Sequence, residues 1–129
     1  MEYSSDLKLF LDEFVDAHRG VRLGKMFGMP ALYAGRRLFA CVSEDGLVVR
    51  IPADIVTRER RNGAKPFSQA PASSDAKARS QPAARRTHAW LVYRPRTIVA
   101  ARRLIPVLEI AARDVARKQV EEMTGVRLR

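Results

Sequence analysis

The sequence predicts an α+β fold, an antiparallel sheet with helices packed on it in an order roughly α-β-β-β-α-β-α, with three or four strands before the second helix and one or two after it. Three observations carry this reading. Apolar residues near the N-terminus recur at helical spacing, the stretch from Gly24 to Ile51 shifts to period two between glycines, and helical spacing returns from Ile98 onwards. At 129 residues, 47% of them hydrophobic, the chain suits one domain with a single core.

Leu7, Phe10, Leu11, Phe14, Val15 and His18 line one face of the first helix, which Ser4 or Ser5 can cap and Gly20 can end. Lys8, Asp12, Glu13 and Asp16 form its polar face, with Lys8 and Asp12 spaced for an ion pair. Asp12 and Asp16 could be imagined as an acid and base, but a solvated helix face explains them more simply. Strands follow near Val21 to Phe27, Ala31 to Tyr33, Leu38 to Val42 and Leu47 to Ile51. Gly28 and Pro30 interrupt what would otherwise be one long strand, and Gly35 and Gly46 supply the positive φ of hairpin turns. Leu47, Val49 and Ile51 share one face of the last strand, with Val48 and Arg50 on the other, the pattern of a sheet covered on one side.

After Pro52, Asp54 to Asn62 reads as a short charged helix stopped by Asn62-Gly63. Ile55 and Val56 form its buried side, while Arg58, Arg60, Arg61 and nearby Lys65 crowd the exposed side with Glu59 opposing them. Residues 69–87 contain no large apolar side chain and read as a flexible basic insert, since they have nothing to bury against the entropy of ordering. Ala89 to Tyr93 restores a strand, with Trp90 and Val92 on one face and Leu91 and Tyr93 on the other. Thr97 caps a long amphipathic helix through Ile98, Ala101, Leu104, Leu108, Ala111 and Val115, in which Pro106 must start a new helix or a kink. Glu109 with Arg113, and Asp114 with Lys118, are spaced for ion pairs along it. The expected organisation is a single domain over 1–122, with the insert at 69–87 and a frayed tail over 123–129.

Composition and motifs exclude more than they assign. No apolar run approaches the length of a membrane span and the N-terminus does not resemble a secretory signal, so a cytoplasmic protein is expected. Cys41 is the single cysteine and sits in an apolar run, where it reads as a small buried hydrophobe. With it, the widely spaced His18 and His88 offer no metal-ligand spacing, and neither a phosphate loop nor a nucleophile elbow is present. No metal, cofactor or catalytic residue is expected. The 24 Lys and Arg against 14 Asp and Glu give a formal charge of +10, which favours acidic partners.

Lys25-Met26-Phe27-Gly28-Met29, Leu32-Tyr33 with Gly35, Leu38 to Val42 and Asp45 to Arg50 together resemble the N-terminal domain of the TfoX/Sxy family. Gly63-Ala64-Lys65-Pro66-Phe67 is similar to that family's Gly-Ala-x-Pro segment, and Ala89 to Tyr93 to its closing strand. The resemblance implies a non-catalytic regulatory domain related to competence regulators, in which this domain is joined to a separate C-terminal one. The chain departs from that pattern in ending after one long helix and in its insert at 69–87. The family offers no catalytic residues to carry over.

Two functional expectations follow. The first is a stand-alone regulatory domain acting by contact with a protein partner, a second copy of the chain included. The alternative is a basic nucleic-acid-binding protein that contacts the anion through Arg58, Arg60, Arg61, Arg85, Arg86, Arg94 and Arg96. Trp90 and Tyr93 are placed for base stacking only by proximity, and both are better explained as strand residues. An enzyme ranks third, because nothing in the sequence assembles an acid, base or nucleophile.

Overall fold

The computed structural model describes residues 5–26, 28–44, 46–67 and 88–124. Helix α1 (Ser5–Ala17) leads into a meander of β1 (Val21–Met26), β2 (Met29–Ala34), β3 (Arg37–Ser43) and β4 (Gly46–Pro52). A 3₁₀ turn (Ala53–Ile55) and the short α2 (Val56–Arg61) precede β5 (Lys65–Pro66). Then come β6 (His88–Tyr93), α3 (Ile98–Arg102) and α4 (Ile105–Thr124). The six strands of the described residues form one antiparallel sheet in the order β1-β2-β3-β4-β6-β5, so the expected α+β architecture holds. Among the described residues no helix is long and apolar enough to cross a membrane. The basic insert expected at 69–87 lies outside the described residues, as does the tail beyond Thr124.

Most of the core lies under the helices. Leu7, Phe10, Leu11 and Phe14 of α1 and Val107, Leu108, Ala111 and Val115 of α4 pack on Leu32, Phe39, Leu47, Val49, Ile51 and Leu91 of the sheet. Helix α4 lies across β2, β3 and β4, while α1 covers β1 and β2 and packs against α3. A second apolar cluster, Ala31, Cys41, Val48, Trp90 and Val92, contains no helical residue. Trp90 and Leu91 therefore divide between the two clusters as strand alternation requires. Cys41 is buried, and burial pushes its thiol up to about 11, which keeps it a packing group.

Several local expectations are refined. Pro30 does not break the strand: β2 starts at Met29, and Pro30 pairs with Lys25 of β1. A two-residue turn closes this hairpin on a hydrogen-bonded pair, Met26 with Met29, so the next pair exchanges no bonds and the missing N–H is not needed. Pairing to β3 begins one residue later, at Ala31. Arg50, read as the outer face of β4, is buried, with its guanidinium donating to Asp114 of α4 at 2.7 Å. Glu109 pairs with His18 rather than with Arg113, tying the end of α1 to α4 at 2.8 Å. The Lys8–Asp12 and Asp114–Lys118 pairs form as expected, at 3.3 and 3.6 Å, and Thr97 caps α3 by accepting from the N–H of Ala100. Pro106 stands in the first turn of α4, where a missing N–H costs nothing.

Candidate basic cleft between helix α2 and strand β5

Pro52 ends β4 and the chain winds through one 3₁₀ turn into α2, which has room for fewer than two turns. Its C-terminus is closed by Asn62 and Gly63 donating to carbonyls of Arg58, Glu59 and Arg60. Gly63 takes φ 111°, open to glycine but strained for any L side chain, and Ala64 then donates to the Glu59 carbonyl at 3.0 Å. This sharp return delivers Lys65 and Pro66 to the edge of the sheet opposite Val92 and Leu91.

Ile55 and Val56 pack against the core as expected, and Glu59, four and three positions further on, shares their inward side. Glu59 is its buried residue, accepting from the Tyr93 hydroxyl at 2.8 Å and from Arg58 Nε at 3.0 Å, while Ile55 and Val56 are only partly covered. Burial, and then the bond to Glu59, hold the Tyr93 phenol far above its ordinary range, so it remains the donor. With Glu59 turned in, the outer side of α2 carries no carboxylate. Thr57, Arg60 and Arg61 line an open cleft of about 620 Å³ with Val56, Ala64, Lys65 and Pro66. None of its lining residues is acidic, and Arg60, Arg61 and Lys65 have no ion-pair partner among the described residues. Two guanidinium forks, an ammonium and a hydroxyl are all donors, the set that binds phosphate or carboxylate oxygens.

Of the arginines expected to contact an anion, the structure brings Arg60 and Arg61 together and adds Lys65. Arg58 shares the helix but gives its Nε to Glu59, and its side chain remains 56% exposed. Arg94 and Arg96 follow β6, both exposed and outside the cleft, with Arg94 passing close to Gly46 at the β3–β4 turn. Arg85 and Arg86 lie outside the described residues.

A second polar cluster was not legible, because its members are far apart in sequence. Arg50 donates to Asp114 at 2.7 Å and to Nδ1 of His88 at 3.1 Å, and Arg117 and Lys118 also reach Asp114. Burial raises the Asp114 carboxyl, but Arg50, Lys118 and Arg117 outweigh it and hold the group below its ordinary value. Burial, then the charges of Arg50 and Lys118, bring His88 down to about 4, so it stays neutral and accepts the Arg50 hydrogen bond. A smaller cleft of about 270 Å³ beside it, lined by Pro52, Asp54, Ile110, Arg113, Asp114 and Arg117, balances two acids against two bases. The cluster locks α4 to β4. Among the described residues no group of three or more His, Cys, Asp or Glu side chains is placed to hold a metal ion.

Comparison with known proteins returns no matching family model, no curated protein and no solved structure.

Proposed function

We propose that this protein is a non-catalytic binding module that holds nucleic-acid backbone in the α2–β5 cleft and acts as a regulator in the cytoplasm. The observation that carries this reading is a cleft lined by Arg60, Arg61, Lys65 and Thr57 with no acidic residue, on a chain whose formal charge is +10. Phosphates of a flexible or duplex backbone suit exposed arginine forks, and the net charge speeds their encounter. The resemblance of the Gly24 to Ile51 stretch to TfoX/Sxy N-terminal domains supports the regulatory half of the reading, and a link to competence regulation belongs to the same proposal.

Fluorescence anisotropy with a labelled duplex of random sequence tests it. If Arg60, Arg61 and Lys65 each neutralise one phosphate, log K falls against log salt with a slope of about −2.7. The variant R60E/R61E is expected to lose most of that slope. Absence of binding at low ionic strength, or an unchanged slope in the variant, removes the cleft as the site.

A further inference from the structure

We propose a second interaction surface, at the opposite edge of the sheet: strand β1 docks an extended acidic peptide by strand addition. This rests on the β1 edge alone and is independent of the α2–β5 cleft.

Strand β1 is regular over its whole length and, among the described residues, has β2 as its single strand neighbour. The hairpin turn fixes which of its backbone groups are spent. Met26 and Met29 form the closing hydrogen-bonded pair, so Gly24 and Arg22 direct their N–H and C=O groups towards β2. The bond from Gly35 N to Gly20 O, two residues further along, keeps the same alternation. Val21, Leu23 and Lys25 therefore direct theirs outward; the Val21 N–H donates to the His18 carbonyl at 3.4 Å, and the N–H groups of Leu23 and Lys25, with the outward carbonyls, stand at the spacing an added strand requires.

Side chains at this edge define the partner. Tyr33 lies across β1, its ring filling the space over Gly24, where an added Cβ would come within 2.7 Å of the ring, and its hydroxyl reaching the outward carbonyl of Lys25. The Arg22 guanidinium sits 4.6 Å above that ring and donates through Nε to the Gly35 carbonyl. Arg22 is thus held in place while its terminal N–H groups meet no carboxylate among the described residues, and Lys25 is likewise without an ion pair. A pre-set guanidinium loses little freedom on binding. Arg22 and Lys25 are three residues apart and so stand on opposite faces of the strand. Between them Leu23 is 37% exposed. The complementary segment is extended, with carboxylates at positions i and i+3 and an apolar residue beside the second.

Strand β1 has the sequence VRLGKM, with no acidic residue. A second copy pairing here would bring two sets of Arg22 and Lys25 within one strand spacing with nothing to offset them, which disfavours self-association through this edge.

Amide hydrogen exchange and ¹⁵N chemical shifts, followed while titrating the peptide acetyl-Thr-Glu-Thr-Val-Glu-Thr-amide, test the proposal. Exchange is expected to slow at Leu23 and Lys25 but not at Arg22 and Gly24, which are already bonded to β2, nor at Val21, which is already bonded to the His18 carbonyl. The variant R22E/K25E should weaken binding by about tenfold or more, and the milder R22Q/K25Q by less, which covers loss of the first variant to misfolding. R60E/R61E should leave peptide binding unchanged. Equal binding of a peptide with Lys in place of Glu, protection elsewhere, or dimerisation through β1 overturns the assignment. Equal protection of the same amides by an oligonucleotide also overturns it.

Discussion

His18 and His88 sit in opposite electrostatic settings, and their contributions to stability have opposite signs. Both ring nitrogens of His18 face acceptors, the Phe14 carbonyl and the Glu109 carboxylate, each at 2.8 Å, and only the imidazolium can donate to both. The bond to Glu109 accordingly raises its pKa above the ordinary 6.5. A proton held more tightly by the folded than the unfolded state stabilises the fold below pH 6.5, and that contribution is lost as pH rises through the raised value. His88 is the reverse case. The folded state keeps it neutral down to about 4 while the unfolded chain takes up a proton near 6.5, so stability falls as pH drops through that window. Urea unfolding across pH should show H18Q flattening the alkaline side of the profile and H88Q flattening the acid side between about 6.5 and 4. A variant that shifts the whole curve without changing either slope would refute the assignment. None of this was readable from the chain, because Glu109 lies 91 positions from His18 and Arg50 lies 38 from His88.

At the scale of elements, what was legible follows from how often a pattern repeats. Helices α1 and α4 and strands β2 to β4 carry enough turns or alternations for the buried face to declare itself. In α2, with six residues, the pattern is too short to choose whether Glu59, four and three positions from Ile55 and Val56, turns inward beside them. The choice is made from outside, by the Tyr93 hydroxyl that β6 brings to Glu59. Strand β5 has two residues and no period at all. The Y93F variant tests the choice: it leaves a buried carboxylate oxygen without its donor, which should cost about 1–3 kcal/mol. The E59Q/Y93F pair should recover part of the loss, as the charge that needed the donor is gone. By contrast the Arg102–Glu13 pair joins α3 to α1 with both side chains about half exposed, and E13A should change stability by less than about 1 kcal/mol. Equal losses from Y93F and E13A in urea unfolding would deny Glu59 its anchoring role.

Over the whole molecule the charges are sorted. Several helix-borne cations are matched: Lys8 with Asp12, Arg102 with Glu13, and Arg117 and Lys118 with Asp114. Arg60, Arg61 and Lys65 at the β5 edge, and Arg22 and Lys25 at the β1 edge, have no ion pair among the described residues. Five strand spacings separate those edges, about 24 Å, more than twice the screening length at physiological salt. The two basic sites therefore act on their partners almost independently. The charge total was plain in the composition. Its division between two edges was not, because it depends on β6 inserting between β4 and β5.

That insertion also settles how the chain tolerates change. Phe67 donates to the Trp90 carbonyl at 2.9 Å, and Pro66 stands opposite Leu91, so the flanks of residues 68–87 are adjacent antiparallel strands. The cost of closing the chain between two such neighbouring strands changes by only about 0.6 kcal/mol for each halving of the connection's length. Replacing 69–86 with a short glycine-containing turn should leave the thermal transition cooperative and slightly higher, and loss of cooperativity would show that the fold needs the segment. For the same reason this connection is where a foreign sequence, an affinity tag or a whole passenger domain could be spliced into the chain without shifting the register of any strand.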